Sequence, residues 1–314
     1  PLFLTLNLHP CTTVPMAAIQ TPYQVAAADL GVQEFVGGCF IKTVLGIDAF
    51  LRHKEADSYQ LTRIRASAYM VLKPTKKAKK WTKRAVGLHI LSSQLNRAFH
   101  RLAAVHPFPG INSWRDLAAL NHVEQAAAEP ATHRHLEHTV AQVEKMIGYC
   151  FRNKNLLAQA LRPENAERRY WETTNDRLEY LGDAVLETCA PLFWIEQDID
   201  LKTLGGYTMA SVCNAALQAV MLEVGLDAYL IGATADQLGD IAKAREEYEV
   251  ARENNPDGVF WKDTYLSKTL ADAMEAIFGA VYLDSGMSFR EIYSLFERLH
   301  WPVVGRRMSA PPEL

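Results

Sequence analysis

The amino-acid sequence predicts an all-α protein, in which a mostly helical, basic N-terminal region precedes a helical C-terminal domain. From Val143 onward, apolar residues recur at helical spacing, and no β-rich stretch follows residue 140. Of the 314 residues, 49% are hydrophobic and 22% are charged, and these fractions are ordinary for a globular protein. The sequence contains no run of about 18 apolar residues, which excludes a membrane span.

Two domains are expected from this length. The segment 126–135 has the composition of a linker, and we place the boundary near Pro130, between the regions 1–130 and 131–310. The chain begins with proline rather than methionine, which is typical of a fragment or a processed chain. Its five cysteines are widely spaced and form no CxxC pair, so they indicate a reducing, intracellular environment, cytoplasmic or nuclear.

Short patterns predict the elements of the N-terminal region. Leucines alternate over residues 2–8, which predicts a short strand. Residues 88–104 carry apolar side chains at helical spacing and predict a helix. The prolines and the glycine of 106–114 predict the loop that follows it.

The distribution of charge is the first functional indication. Residues 58–115 contain twelve basic residues and no acidic one, so the rest of the chain has 21 basic against 36 acidic residues. Such a basic segment is typical of proteins that bind polyanions, nucleic acids above all. A solvated surface, a disordered linker or a nuclear-localisation signal would give the same pattern. The residues expected to contact a nucleic acid are Lys76, Lys77, Lys79, Lys80, Lys83 and Arg84.

The segment 175–189 predicts an acidic helix that begins at Asp176 or the residue before it. Asp176, Glu179 and Asp183 are spaced i, i+3 and i+7, so their carboxylates share one helical face, while leucines and a valine supply core elsewhere. Gly182 weakens this helix by about 1 kcal/mol relative to alanine. A glycine in this position indicates close approach of another helix or of a ligand.

The segment 266–286 predicts a second helix, which should be central because its apolar surface is broad. Asp272 and Glu275 are spaced i, i+3 and share a face. A buried carboxylate without a partner is costly, and pairing with a cation or a metal ion compensates for it. Gly279 again allows close helix packing.

Side by side, the two helices would bring up to five carboxylates together. Hard oxygen ligands of this kind suit Mg²⁺, with Mn²⁺ as a substitute. A bound metal ion would offset the repulsion, activate water near neutral pH and stabilise negative charge on a phosphate. Alternatively, the acids are N-terminal helix charges or ion-pair partners of Arg177 and Lys268.

Four segments resemble, in the right order, the ribonuclease III family. NDRLEYLGDAVL (175–186) resembles the family signature, and KTLADAMEAIFGAVYLDSG (268–286) resembles its second motif. VEKMIGYCFRNKNLLAQAL (143–161) looks like the opening helices, and ASVCNAAL with GLDAYL looks like the segment in between. The resemblance covers residues 140–301 and implies an all-helical ribonuclease III endonuclease domain that cuts double-stranded RNA with Mg²⁺.

This resemblance also implies a reaction and its residues. Attack on a backbone phosphodiester would leave 5′-phosphate and 3′-hydroxyl ends, in RNA processing or silencing. Family members dimerise, so the partner would be a second chain, as a homodimer, or another part of this chain, as an intramolecular pseudo-dimer. The implied metal ligands are Glu179, Asp183, Asp272 and Glu275, the implied catalytic residues are Asp183 and Glu275, and the implied auxiliary residues are Asp176 and Lys268.

Three departures from the family pattern stand out. Asp176 replaces the usual Glu and is shorter by one methylene, and Thr208 stands where the family often has Arg. Residues 231–263 form a long, charged insertion that looks like Dicer-type enzymes more than compact bacterial ones. The segment YSLFERLHWP (293–302) also resembles the end of a fungal Dicer-like ribonuclease domain.

A fainter copy of the signature occurs in the N-terminal region. QEFVGGCFIK (33–42) resembles LEFLGDCFLK, the variant signature of the first ribonuclease domain in Dicer-like proteins, with Glu34 retained and Gly38 in place of the catalytic Asp. LTRIRASAYM (61–70) resembles a further family helix. We hypothesise that residues 20–130 are a shortened, inactive repeat that pairs with the active domain and lends its basic stretch to RNA. The alternative is an unrelated helical extension.

Three classes of function compete. The leading one is a metal-dependent endoribonuclease of the Dicer-like branch, specific for double-stranded RNA. The second is a non-catalytic scaffold of the same fold, such as a mitochondrial ribosomal protein, a class that typically loses the carboxylates. The third is a basic, helical RNA-binding module whose acids are only structural. Mg²⁺-dependent cutting of duplex RNA distinguishes the first class from the others.

Overall fold

The computed structural model describes residues 26–71, 76–91, 95–106, 108–109, 111–119, 134–166, 173–197 and 199–308. Within these ranges the chain is helical and contains no strand, which confirms the all-α prediction. The strand predicted over 2–8 and the boundary predicted near Pro130 lie outside the described residues. In the part that is described, no helix is long and apolar enough to cross a membrane.

The chain divides into two compact units. The first comprises Pro1–Asn121 and Glu187–Thr208, and the second comprises His122–Leu186 and Met209–Leu314. The helices in chain order are α1 (Leu30–Arg52), α2 (Ser58–Val71), α3 (Lys76–Leu91), α4 (Leu95–Ala103), α5 (Trp114–Ala119), α6 (Arg134–Ile147), α7 (Lys154–Ala160), α8 (Asp176–Glu196), α9 (Leu204–Ser211), α10 (Asn214–Val224), α11 (Ala235–Asn254), α12 (Lys268–Asp284), α13 (Phe289–His300) and α14 (Arg306–Met308). Helices α8 and α9 have residues in both units.

The first unit is built on a close crossing of α1 and α3. A Cβ atom on Gly37 would lie 1.8 Å from the backbone oxygen of Lys83, and one on Gly87 would lie 1.9 Å from that of Gln33. Only glycine permits such an approach of two backbones. The helix predicted over 88–104 corresponds to the end of α3 and to α4, with residues 92–94 outside the described ranges.

Helix α12 is the centre of the second unit, as its broad apolar surface predicts. It packs against α7, α10 and α13, and nearly all of its residues are buried. It also crosses α8 at two glycines. A Cβ on Gly182 would lie 1.8 Å from the backbone oxygen of Glu275, and one on Gly279 would lie 2.2 Å from that of Leu178. Close approach of another helix is therefore the reason for the glycine within α8.

Buried polar side chains hold both ends of α12 in place. The Gln218 side chain donates to the backbone oxygen of Tyr265 at 2.8 Å and accepts from the amide of Ser267 at 2.6 Å, immediately before the helix begins. At the other end, the Asp284 carboxylate is 1% exposed and accepts three hydrogen bonds from the loop before α7. These bonds satisfy polar groups that would otherwise be costly to bury.

The charged insertion at 231–263 folds mainly as α11. A capping box formed by Thr234 and Gln237 begins this helix. Most of its side chains reach solvent, while Tyr248 is buried and donates to the carboxylate of Glu223 at 2.7 Å. The insertion is therefore an ordered helix attached to the second unit.

His300, at the end of α13, is a buried base. Its ring is 1% exposed and stacks on Phe296 with a centroid distance of 4.3 Å. Within the described part of the chain neither ring nitrogen has a hydrogen-bond partner. Burial lowers the pKa of His300 to about 3.

Replacing His300 with phenylalanine should make the protein less sensitive to acid. An unfolded histidine titrates near pH 6.5, so between about pH 3 and 6.5 the unfolded chain binds a proton that the folded chain does not. Stability is therefore lost as the pH falls through 6.5. Between pH 7.5 and 5, H300F should lose about 2 kcal/mol less of its free energy of unfolding than the wild type. Urea denaturation at the two pH values measures this difference.

His138→Gln, which changes an exposed histidine of α6, is the control and should retain the wild-type dependence. Equal losses for H300F and the wild type would show that His300 is protonated in the folded state.

Candidate metal centre

Three carboxylates meet where α8 and α12 cross in the second unit. One oxygen from each of Glu179, Asp272 and Glu275 lies within 4.8 Å of the other two. The crossing explains this geometry, because Gly182 touches the backbone of Glu275 and Glu179 lies one turn before Gly182. The i, i+3 spacing places Asp272 on the same face of α12 as Glu275, as the sequence predicts.

Burial makes this trio electrostatically unfavourable without a cation. Glu275 is only 8% exposed. Burial raises its pKa well above the usual range, and the charges of Asp183, Glu179 and Asp272 raise it further. Burial likewise raises the pKa of Glu179 to about 7, with a contribution from Asp272. Asp272 therefore makes ionisation of both glutamates more costly, and Glu179 makes ionisation of Glu275 more costly.

Lys268, the first residue of α12, is an ion-pair partner of the trio. Its Nζ lies 2.7 Å from Oδ2 of Asp272 and 3.7 Å from Oε1 of Glu179. The ion-pair interpretation of the acids thus holds for part of the cluster. Burial still raises the pKa of Asp272 despite the opposing charge of Lys268. Because 64% of the lysine side chain is exposed, solvent screens its charge, and one ammonium balances the three acids only in part.

The residues present fit a divalent cation. Glu179, Asp272 and Glu275 offer hard oxygen donors, and a dication would offset their mutual repulsion. Asp183 is outside this trio, but its charge contributes to the raised pKa of Glu275 and of Glu179. The charge of Asp176 acts in the same way on Glu179 and Asp272. The structure therefore brings Glu179, Asp272 and Glu275 together, while Asp176 and Asp183 act on members of this trio through their charges.

Comparison with known proteins agrees with this geometry. Residues 176–286 match the family model described as "Ribonuclease III domain". These residues form a ribonuclease III domain. The match begins at the first residue of α8 and extends just beyond α12, so it contains both helices of the carboxylate crossing.

Several curated relatives align with this ribonuclease III domain and its surroundings. Dicer-like protein 1 of Pyricularia oryzae is 28% identical over 205 residues, which cover 60% of this chain and 13% of that protein. Protein Dicer of Schizosaccharomyces pombe is 29% identical over 154 residues, which cover 48% of this chain and 11% of that protein. Ribonuclease 3 of Aromatoleum aromaticum is 30% identical over 165 residues, 52% of this chain and 61% of that protein. The alignment thus spans about an eighth of the first of these relatives.

Among solved structures, the nuclease domain of ribonuclease III from Campylobacter jejuni is 26% identical. The alignment covers 52% of this chain and 93% of that domain, with a TM-score of 0.37.

Sequence reasoning missed the residues that position α12 in the ribonuclease III domain. Gln218 orders the segment that leads to Lys268, and Asp284 anchors the other end of the helix. The available signal was a glutamine inside the apolar run AALQAVML, since a polar residue on a buried face needs a partner there. The spacing of acids along α8 and α12 carries no such signal.

The predicted nucleic-acid contacts lie on α3 in the first unit. Lys79 packs over the ring of Tyr69, with Nζ 3.8 Å from the centroid, and donates to the Tyr69 backbone oxygen at 2.9 Å. This lysine is therefore engaged within the unit. The side chains of Lys76 and Lys77 lie outside the described part of the structure.

The remaining predicted contacts surround the start of α1. Lys80 and Arg84 each lie 3.5 Å from the carboxylate of Glu34. The Lys83 side chain runs beside Gly38, where a Cβ atom would lie 3.6 Å from its Nζ. The structure therefore places Lys80, Lys83 and Arg84 together at the crossing of α1 and α3.

Gly182→Ala should destabilise the protein, because the added methyl group would collide with the backbone of Glu275 and force α8 from α12. Overpacking of this kind costs roughly 1–3 kcal/mol. Gly239→Ala is the matched control, since nothing lies within 4 Å of a Cβ on this glycine of α11. That substitution should raise stability by up to about 1 kcal/mol. Urea denaturation measures both, and a G182A variant as stable as the wild type would disprove the close crossing.

Divalent cations should stabilise the wild-type chain against unfolding. At a free Mn²⁺ or Mg²⁺ concentration of 100 times Kd, the expected gain is about 2.7 kcal/mol. Glu275→Gln should lose most of this gain, yet without metal it should be at least as stable as the wild type, because one repelling charge is removed. Thermal unfolding with and without the metal measures both effects.

Glu249→Gln removes an exposed acid of α11 and should keep the full gain. Equal stabilisation of E275Q and the wild type would place the metal elsewhere.

Proposed function

We propose that this chain is a metal-dependent endoribonuclease that hydrolyses the backbone of double-stranded RNA. The observation that supports this is the trio Glu179, Asp272 and Glu275 inside a ribonuclease III domain, with Glu275 buried and the other two half-buried. A scaffold without activity gains nothing from three neighbouring acids that burial and nearby negative charge hold at raised pKa values, because this arrangement costs stability. The retained carboxylates therefore favour the nuclease over the non-catalytic scaffold.

The proposed roles follow from where each side chain lies. Glu179, Asp272 and Glu275 would hold Mg²⁺, or Mn²⁺ in its place. When bound, the ion supplies Lewis-acid stabilisation of charge on the phosphate and lowers the pKa of water. Asp183 is assigned to orient the attacking water, as the family resemblance implies, and its charge contributes to the raised pKa of Glu179 and of Glu275. The exposed ammonium of Lys268 is assigned to attract the phosphate of the substrate.

The proposed reaction is in-line attack of water on a phosphodiester. The bond between phosphorus and the 3′ oxygen breaks, which leaves a 5′-phosphate and a 3′-hydroxyl. Asp183 and Glu275 are the proposed catalytic residues. Asp176 stays an auxiliary acid, since its charge adds to the negative potential at Glu179 and Asp272.

We further propose that the first unit is an inactive copy of the ribonuclease III domain, so that the chain is an intramolecular pseudo-dimer. The support is a repeated spacing. In each unit two helices cross at a pair of glycines, and a glutamate lies three residues before the first glycine. The first glycine contacts a backbone carbonyl of the other helix, and the residue with that carbonyl lies four residues before the second glycine. The positions are Glu34, Gly37, Lys83 and Gly87 in the first unit and Glu179, Gly182, Glu275 and Gly279 in the second.

A chain with one such centre should cut one strand of a duplex per binding event, whereas a homodimer with two centres should cut both. Among the described residues, acids close enough to hold a metal ion form only the trio in the second unit. The pseudo-dimer therefore predicts nicked duplexes, and the homodimer predicts double cuts with a short 3′ overhang.

Duplex RNA labelled at the ends of each strand tests the activity directly. With Mg²⁺ the wild type should yield fragments with 5′-phosphate ends, and Glu275→Gln should lower kcat by roughly 10²-fold or more. Glu249→Gln should cut at the wild-type rate. RNA affinity of E275Q in EDTA should be unchanged, which separates a loss of chemistry from a loss of binding.

Duplex binding by the wild type without cleavage in Mg²⁺ or Mn²⁺ would instead support the scaffold. Sedimentation of the RNA-bound chain, combined with the number of strands cut, distinguishes the pseudo-dimer from the homodimer.

A further inference from the structure

The crossing in the first unit has the backbone geometry of the metal centre and the opposite charge. In the ribonuclease III domain, the two acids of α12 lie seven and four residues before Gly279. The same positions before Gly87, on α3, are Lys80 and Lys83. The backbone contact is also the same in the two units. A Cβ atom added to Gly37 would lie 1.8 Å from the carbonyl oxygen of Lys83, and one added to Gly182 would lie 1.8 Å from that of Glu275. Two ammonium groups thus stand where the second unit has metal ligands.

The facing helix α1 completes this cationic centre. Glu34 occupies the position of the first metal ligand of α8, and its carboxylate lies 3.5 Å from Lys80 and from Arg84. Gly38 occupies the position of Asp183, so no carboxylate opposes Lys83 from there. A Cβ on Gly38 would be in ordinary contact with the Lys83 side chain, 3.5 Å from Cε and 3.6 Å from Nζ. Two cations therefore flank the Glu34 carboxylate and a third, Lys83, lies beside Gly38, so this crossing has more positive than negative charge and disfavours a divalent cation.

We propose that this centre, formed by Lys80, Lys83 and Arg84 beside Glu34, binds a phosphate of the RNA backbone without a metal ion and without cutting it. The proposal rests on the proposed function, because it takes duplex RNA as the ligand. The three side chains carry three positive charges against the one negative charge of Glu34, so the centre as a whole attracts an anion. Lysine ammonium groups bind phosphate as point charges, and the bonds are charge-assisted.

The exposure of the side chains permits this contact. The Lys80 side chain is 50% exposed, so a backbone phosphate can reach its ammonium group from solvent. The ion pair with Glu34 is long and solvated, and pairs of that kind are weak. A phosphate, which carries a full charge and several acceptor oxygens, can share both lysines.

Salt dependence of RNA binding tests the proposal. The full chain is titrated with fluorescently labelled duplex RNA in EDTA over a series of salt concentrations, so that no cleavage occurs. In the double variant Lys80→Gln with Lys83→Gln, log K should fall less steeply with log salt, by about one unit of slope. Its RNA affinity at 0.1 M salt should be about tenfold lower than that of the wild type. Lys243→Gln with Lys262→Gln removes the same charge from the second unit and should lower neither value comparably. Equal effects of the two double variants would overturn the proposal.

A second pair of variants keeps the lysines and so avoids any loss of folding caused by their removal. Gly38→Asp would place a carboxylate against Lys83, as in the ribonuclease III domain, and Gly38→Ala fills the same space without charge. The salt slope of G38D should be smaller than that of G38A by about one. Identical slopes would contradict a phosphate site at Lys83.

The binding and cleavage measurements distinguish a failure of the phosphate site from a failure of the proposed nuclease. If the lysine double variant has a weaker salt dependence but the wild type does not cut RNA, the phosphate site is supported and the proposed nuclease is contradicted. If the wild type cuts RNA with Mg²⁺ but the variants keep the wild-type salt dependence, the nuclease is supported and the phosphate site is contradicted.

Discussion

Contact between the backbones of α8 and α12 is the constraint on which the metal centre depends. The two helices approach so closely that a single methyl group on Gly182 would overlap the carbonyl of Glu275. With a larger residue there, the helices would separate and the carboxylates of Glu179 and Glu275 would no longer be neighbours. Glycine at this position lowers the stability of α8 by about 1 kcal/mol relative to alanine. In return, it permits the short distance between α8 and α12 that the site requires.

The same closeness creates an electrostatic conflict that the fold itself only partly resolves. Burial raises the pKa of Glu275 and of Glu179, the charge of Asp272 raises both further, and the charge of Glu179 adds to the effect on Glu275. Lys268 offsets some of the charge from the exposed rim, at 2.7 Å from Asp272. The polar groups at the ends of α12 do have hydrogen-bond partners. Gln218 holds the start of the helix and Asp284 holds its end. A rigid helix with unfavourable charges is the arrangement expected where a cation is to be bound.

Comparison of the two units shows that similar backbone geometry can carry different side-chain chemistry. Its crossing at Gly37 and Gly87 has the spacing of the crossing in the ribonuclease III domain. Lysines at 80 and 83 turn a position suited to a cation into one suited to an anion.

The sequence by itself determined the two acidic helices, the shared face of Asp272 and Glu275, and the family resemblance, because these depend on spacing within one helix, where the backbone repeat sets every position. It also predicted close approach at Gly182. Only the tertiary structure decided which acids meet, that Lys268 joins them, that Gln218 places the start of α12, and that Lys80 and Lys83 face α1. Those relations join residues far apart in the chain, and their distances follow from how side chains and backbones pack between helices, which no local spacing records.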